Sequence, residues 1–150
     1  MRVAIGADHA GYEIKERVKH LLEARGHEVR DMGTTSSEST DYPQYAFRVA
    51  EAVRDGAADR GVLVCDSGNG IAIAANKVEG IRATICGSAR QAEMARRHND
   101  SNVLVLGSAY LPDGDLEPTV DTWLETPFDG GRHARRVGQI TDYERAHARR

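Results

Sequence analysis

The run Gly61-Val62-Leu63-Val64-Cys65 constrains the fold of this chain more than any other stretch. It lacks the polar alternation of a strand with one wet face, which is the pattern of a strand buried on both faces. Such strands belong to parallel sheets, where crossover helices cover the two sides. The rest of the chain meets that demand. Short β-rich runs at residues 2–6, 27–32, 82–86 and 102–106 alternate with amphipathic stretches. The first helix is predicted over residues 10–24, with Tyr12, Ile14, Val18 and Leu22 on one face and Gly26 as its stop. Residues 33–40 form a Ser/Thr-rich loop ahead of Asp41-Tyr42-Pro43, and further helices are predicted over 44–55, 71–77, 89–97, 115–125 and 132–146. Five strands alternating with helices imply a doubly wound, Rossmann-like α/β sandwich around a five-stranded parallel sheet.

At 150 residues, with no linker, repeat or low-complexity tract, the chain reads as one domain spanning 1–150. A formal charge of -3 gives no electrostatic reason to expect nucleic acid or an anionic membrane as partner. Basic residues gather only near the C-terminus, at Arg132, Arg135, Arg136, Arg145, Arg149 and Arg150. Such an excess either serves a small anion or forms a solvated helix face. No apolar run approaches the roughly 18 residues of a membrane span. The N-terminus reads directly as strand and charged helix rather than as a signal peptide. Cys65 and Cys86 make neither a metal-ligand pair nor a disulfide framework. The expectation is a cytoplasmic protein with both thiols reduced.

In doubly wound folds ligands sit beyond the carboxyl ends of the strands. Here those ends carry Asp8-His9, Cys65 with its turn, and the segments after Cys86 and Leu106. The turn Cys65-Asp66-Ser67-Gly68-Asn69-Gly70 can converge its N–H groups on an anion at the start of a helix. Equally, it can be a Gly-rich turn that binds nothing. It is neither a Walker loop nor a dinucleotide fingerprint. Cys65, just before that turn, is placed where a thiol can have a lowered pKa and act as base or nucleophile. The competing reading is a buried structural cysteine, and for Cys86 packing is the expected role. Arg132 and Arg136 share one helical face and suit a phosphate clamp or a solvated surface. His98-Asn99-Asp100 ends the helix that carries Arg96 and Arg97. His133 and His147 have no ligand-like partners by spacing, so no metal and no other cofactor is expected.

Together these residues resemble the ribose-5-phosphate isomerase B family and its galactose-6-phosphate isomerase relatives. The resemblance rests on GADHAGYEIK (6–15), GT-SSE (33–38), TDYP (40–43), SGNGIAIAANK (67–77), GIRA (80–83), RRHND-NVLVLGS (96–108) and GGRHARRV (130–137). It implies a metal-free aldose-ketose isomerase working through a cis-enediolate on a small sugar phosphate. By resemblance, Cys65 carries the proton between C2 and C1, and the amides of Asp66, Ser67, Gly68, Asn69 and Gly70 hold the enediolate oxygen. Ser67 shuttles protons between the sugar oxygens, and Asp8 and His98 open the furanose ring. His9, Arg132 and Arg136 match phosphate ligands, while Asn99 and Tyr42 match sugar contacts. In the family His98, Asn99 and the arginines come from the neighbouring subunit. A homodimer or homotetramer with a shared active site is implied, its C-terminal helix contacting that neighbour.

Three positions depart from the family pattern. Ile71 stands where some members place a glutamate base, which leaves Cys65 as the base. Ala109 stands where many carry a phosphate-contacting arginine, and Asp66 where glycine is usual. A carboxylate at 66 would oppose thiolate formation if it faced the sulfur. These changes keep open an isomerase of another aldose or aldose phosphate. A non-catalytic sugar-phosphate-binding protein is the alternative of a different class. It is disfavoured because simple binding does not require Cys65, Ser67, Asp8 and His98 together. A nicotinamide-dependent dehydrogenase is disfavoured by the missing dinucleotide fingerprint.

Overall fold

The computed structural model describes residues 1–148, so Arg149 and Arg150 of the basic cluster lie outside the described residues. Five strands, β1 (Arg2–Ala7), β2 (Glu28–Asp31), β3 (Arg60–Cys65), β4 (Ala83–Ile85) and β5 (Val103–Gly107), form one sheet in the order β2-β1-β3-β5-β4. Every pairing is parallel. The helices among the described residues are α1 (Tyr12–Ala24), α2 (Tyr42–Arg54), α3 (Asn69–Ala75), α4 (Ala89–Asn99), α5 (Leu116–Glu125) and α6 (Arg132–Ala146).

Period-two alternation along the strands divides the core into two layers. Val3, Ile5, Val62, Val64, Leu104 and Leu106 pack with Val18 and Leu22 of α1, Ala92 of α4 and Trp123 of α5. Ala4, Leu63, Cys65, Val103 and Val105 turn the other way, against Val49 and Ala50 of α2 and Ile71 and Ala75 of α3. Both faces of β3 are therefore dry, which is why its sequence shows no polar alternation.

Element edges shift from the sequence expectation for local reasons. α2 begins at Tyr42 because Pro43 fits the first turn, where an N–H would have no helical partner anyway. A 3-10 turn over His9–Gly11 precedes α1. α3 starts and ends two residues early, launched by Gly68 at φ 85, a left-handed conformation that favours glycine.

The interior face of α1 also differs. Val18 and Leu22 are buried and Ile14 packs beside them, but Lys15 is buried as well, with no exposure at all. Its ammonium lies 2.7 Å from both Glu16 and Asp31, and 5.5 Å from the Tyr12 ring centre. Burial acts to lower the Lys15 pKa, and the hydrogen bonds to Asp31 and Glu16 outweigh it, so the pKa is raised on balance. Asp31 also accepts the Gly33 N–H at 2.9 Å. The Ala7 N–H donates to Gly33 O at 2.8 Å and the Thr34 N–H to Ala7 O at 2.9 Å. Lys15 thus anchors the loop that holds the end of β1.

α6 contributes no buried residue. It rests against α4, and Glu144 accepts the Gly80 N–H at 3.0 Å. Ile140 and Tyr143 are left exposed along it. Among the described residues, no helix is long and apolar enough to cross a membrane.

Replacing Lys15 by alanine leaves two carboxylates facing each other without their cation. Because both keep partial access to water, the expected loss is at the low end for a broken buried pair, about 3 kcal/mol. Urea unfolding at matched protein concentration measures it, and a loss below about 1 kcal/mol would mean that Lys15 is no anchor.

Candidate active site

After β1 the chain leaves through α1 on one face of the sheet, and after β3 it leaves through α3 on the other. Neighbouring strands whose exits diverge leave a crevice between their carboxyl ends. Asp8 and Cys65 stand at that crevice.

Asp8 is buried and donates its N–H to Val64 O at 3.3 Å. Its carboxylate accepts the Gly11 N–H at 3.1 Å, capping the 3-10 turn. Gly11 lies so close to Val64 O that any Cβ would strike it. The absent side chain is what lets this turn settle on the end of β3. His9 is exposed, and its Nδ1 lies 3.2 Å from the Thr40 N–H. Nδ1 is equally near the Thr40 carbonyl oxygen, at 3.2 Å. The Tyr42 ring covers Gly70, where a Cβ would collide with the phenol.

The turn after β3 is held from the β5 side. The Ser108 N–H donates to Cys65 O and the Ala109 N–H to Asp66 O, both at 2.9 Å. The Ser108 hydroxyl lies 3.1 Å from Ala10 O and 3.3 Å from Cys65 O, tying the ends of β1, β3 and β5 together. Ser67 Oγ accepts the Asn69 N–H at 3.1 Å. Ser67 and Asn69 line a cavity of about 500 Å³ with Gly87, Ser88, Gln91 and Tyr110. A larger cavity of about 780 Å³ lies between α6 and the segment entering β4, and of the candidate residues only Asn99 lines it.

Cys65 is 5% exposed, and its sulfur accepts the Gly68 N–H at 3.1 Å. Burial pushes the thiol above its ordinary pKa, the Ile71, Gly68 and Ser67 amides pull it back in part, and the Asp8 carboxylate pushes the same way as burial. A helix N-terminus can lower a thiol pKa, but here desolvation outweighs the amides. Asp66 is exposed, and the carboxylate that pushes the Cys65 thiol up is Asp8. The amides of the turn face inward, toward Cys65 and Ser67. Cys86 packs beneath β4 as expected, and burial pushes its thiol up to about 11.

His98, Asn99, Arg132 and Arg136 lie at the opposite end of the sheet. α4 ends where the chain enters β5, at Val103, whereas Cys65 pairs with Gly107. Four residue steps of strand place the two ends about 13 Å apart. The His98 ring stacks on that of His133, with centroids 4.2 Å apart and planes 9° from parallel. One chain therefore assembles Asp8, His9, Tyr42, Cys65, Asp66, Ser67, Gly68, Asn69 and Gly70, and holds His98, Asn99, Arg132 and Arg136 elsewhere. Thr40, which steadies His9, and Ser108 escaped the sequence reading because a lone hydroxyl in a loop or after a strand carries no pattern.

A family profile described as ribose/galactose isomerase matches residues 3–140. The chain belongs to that family. It is 50% identical over 144 residues to ribose-5-phosphate isomerase B of Escherichia coli (strain K12), covering 95% of this chain and 96% of that protein. The structure of Clostridium thermocellum ribose-5-phosphate isomerase B superposes with a TM-score of 0.96 at 48% identity, over 99% of this chain and 100% of that one. That of the Mycoplasma genitalium enzyme with bound ribulose-5-phosphate gives 0.92 at 37% identity, over 96% of each chain. Like these ribose-5-phosphate isomerases, the chain is built as an α/β sandwich on a parallel sheet.

The state of Cys65 can be read by alkylation. Its rate with iodoacetamide should climb with pH toward a midpoint above the ordinary thiol value of 9.0. Asp8→Asn should move the midpoint to lower pH, because a charge opposing the thiolate is gone. A midpoint at or below 9.0 in the wild type would contradict the dominance of burial.

Proposed function

We propose that this chain interconverts ribose 5-phosphate and ribulose 5-phosphate, in a site shared between two copies. The observation that carries the reading is a thiol set beside Asp8 at a sheet switch point and ringed by three amide donors, in a chain of this family.

The chemistry follows the charge. Ring opening exposes the aldehyde, with Asp8 and His98 of the partner subunit exchanging protons with the ring and C1 oxygens. Cys65, as thiolate, takes the proton from C2, and negative charge passes from sulfur to the enediolate oxygen. The amides at the turn, which bond sulfur beforehand, are placed to follow that charge onto oxygen, as preorganised donors do. Ser67 moves a proton between the two oxygens, and Cys65 returns its proton to C1. The tally is one proton moved between adjacent carbons and one between their oxygens, so the reaction calls for no oxidant, metal or nucleotide. A reduced thiol is required, which fits the cytoplasm.

Sharing the site is supported by the separation of the two residue groups. His98, Asn99, Arg132 and Arg136 cannot reach the Cys65 of their own chain across the length of the sheet. The exposed apolar residues of α6, Ile140 and Tyr143, suit packing on a second copy, in a homodimer or a pair of homodimers. The phosphate would then lie among His9 and the partner's Arg132 and Arg136. A second substrate reading rests on Asp66, which is exposed next to Ala109 and brings negative charge to the mouth of the turn. That arrangement favours a free aldose over a phosphate ester.

Ketose formation from ribose 5-phosphate and from ribose, without added metal or nucleotide, separates these readings. Turnover of the phosphate alone supports the first, and preference for ribose supports the second. Cys65→Ala should retain its circular dichroism and lose activity by at least about 100-fold, as expected on removal of the base. Binding without any turnover in the wild type would instead identify a sugar-phosphate-binding protein.

Two inactive variants test the shared site. Cys65→Ala and His98→Asn, refolded together in equal amounts, should recover about a quarter of wild-type activity, because half of the random dimers hold one intact site of two. Recovery of none would place both residues in one chain's site.

A further inference from the structure

We propose that His98, His133 and Asp129 form a binding site for a divalent transition-metal ion of the zinc class, and that an ion held there inhibits isomerisation by withdrawing His98 from the sugar. The second half rests on the role proposed above for His98.

One ligand atom from each residue lies within 4.8 Å of the others. They come from three different places: His98 from the last turn of α4, His133 from the first turn of α6, and Asp129 from the connection between α5 and α6. That connection is pinned to α4. The Asp129 N–H donates to Arg97 O at 3.0 Å, and its carboxylate accepts Arg97 Nε at 3.2 Å. A carboxylate has lone pairs to spare beyond one such donor, so Asp129 can keep Arg97 and still ligate. Neither imidazole makes a hydrogen bond with another group among the described residues.

Two imidazoles and one carboxylate with an open fourth position make up a zinc-type donor set. Hard cations such as magnesium prefer all-oxygen sites and are not expected here. The stacked rings lie in nearly parallel planes, which cannot both contain one ion, so binding requires one ring to turn about its Cβ–Cγ bond. Half-buried rings without hydrogen bonds are free to do so. The charged groups near the His133 ring are Arg132, Arg136 and Asp129. The same arginines repel a cation, which favours a reversible site over a permanent one.

The test uses the full chain, stripped with chelator and titrated calorimetrically with zinc chloride and, separately, magnesium chloride. One zinc per chain and no magnesium heat are expected. His133→Ala should weaken zinc binding by at least about tenfold, and Asp129→Asn should weaken it also, both with unchanged circular dichroism. In the isomerase assay zinc should slow the wild type, chelator should restore it, and His133→Ala should be insensitive. Absent stoichiometric binding, or binding unaffected by either substitution, would overturn the site. Inhibition that survives in His133→Ala would overturn the inhibitory role. Zinc that binds at these residues without slowing the reaction would leave the metal site standing and remove His98 from ring opening.

Discussion

The molecule is organised around the burial of β3. Its backbone is bonded to β1 on one edge and β5 on the other, and its side chains are covered by helices on both faces. Cys65 stands at its last position. What surrounds the sulfur is fastened to the same strand: Asp8 through Val64 O, the turn through Ser108, and α3 through Gly68. Gly11 and Gly107 allow this crowding, since a Cβ at either would strike the backbone of β3 or of its turn. A packed sheet positions a reacting atom better than a loop does, and here the loops are held by the sheet.

Two opposing effects meet at the sulfur. Taking a thiolate out of water is costly, and amide donors repay only part of that cost. In the resting chain burial prevails, with Asp8 adding to it. The same balance suits the proposed chemistry, because a thiolate that is poorly solvated gives up its charge readily to an oxygen at the same turn. Asp8 opposes the thiolate from the position that the proposed mechanism also gives it beside the sugar ring.

Much of the fold was legible in the sequence, for a physical reason. Parallel strands read as unbroken apolar runs, and amphipathic helices between them leave few arrangements. The turn from Cys65 to Gly70 was legible because glycines at a strand-to-helix junction have few other uses. Lys15 was not, since a lysine in a helix pattern reads as solvent-facing unless its partners are known, and Asp31 arrives from β2. The two readings of Cys65 stayed open in the sequence because a helix N-terminus is visible there while depth of burial is not. Likewise His98 and His133 gave no sign of meeting, since α4 and α6 are neighbours only in the folded chain. Asp66 pointed the other way: alarming on paper beside the cysteine, it faces solvent.

The depth of Cys65 has a consequence for the protein's endurance. Peroxides oxidise the thiolate far faster than the thiol, first to the sulfenic acid and then irreversibly beyond it. A thiol that stays protonated and almost wholly covered between turnovers offers oxidants little to attack. Burial that makes the thiol harder to ionise thus also preserves it, and the chain's other thiol, Cys86, is shielded in the same way.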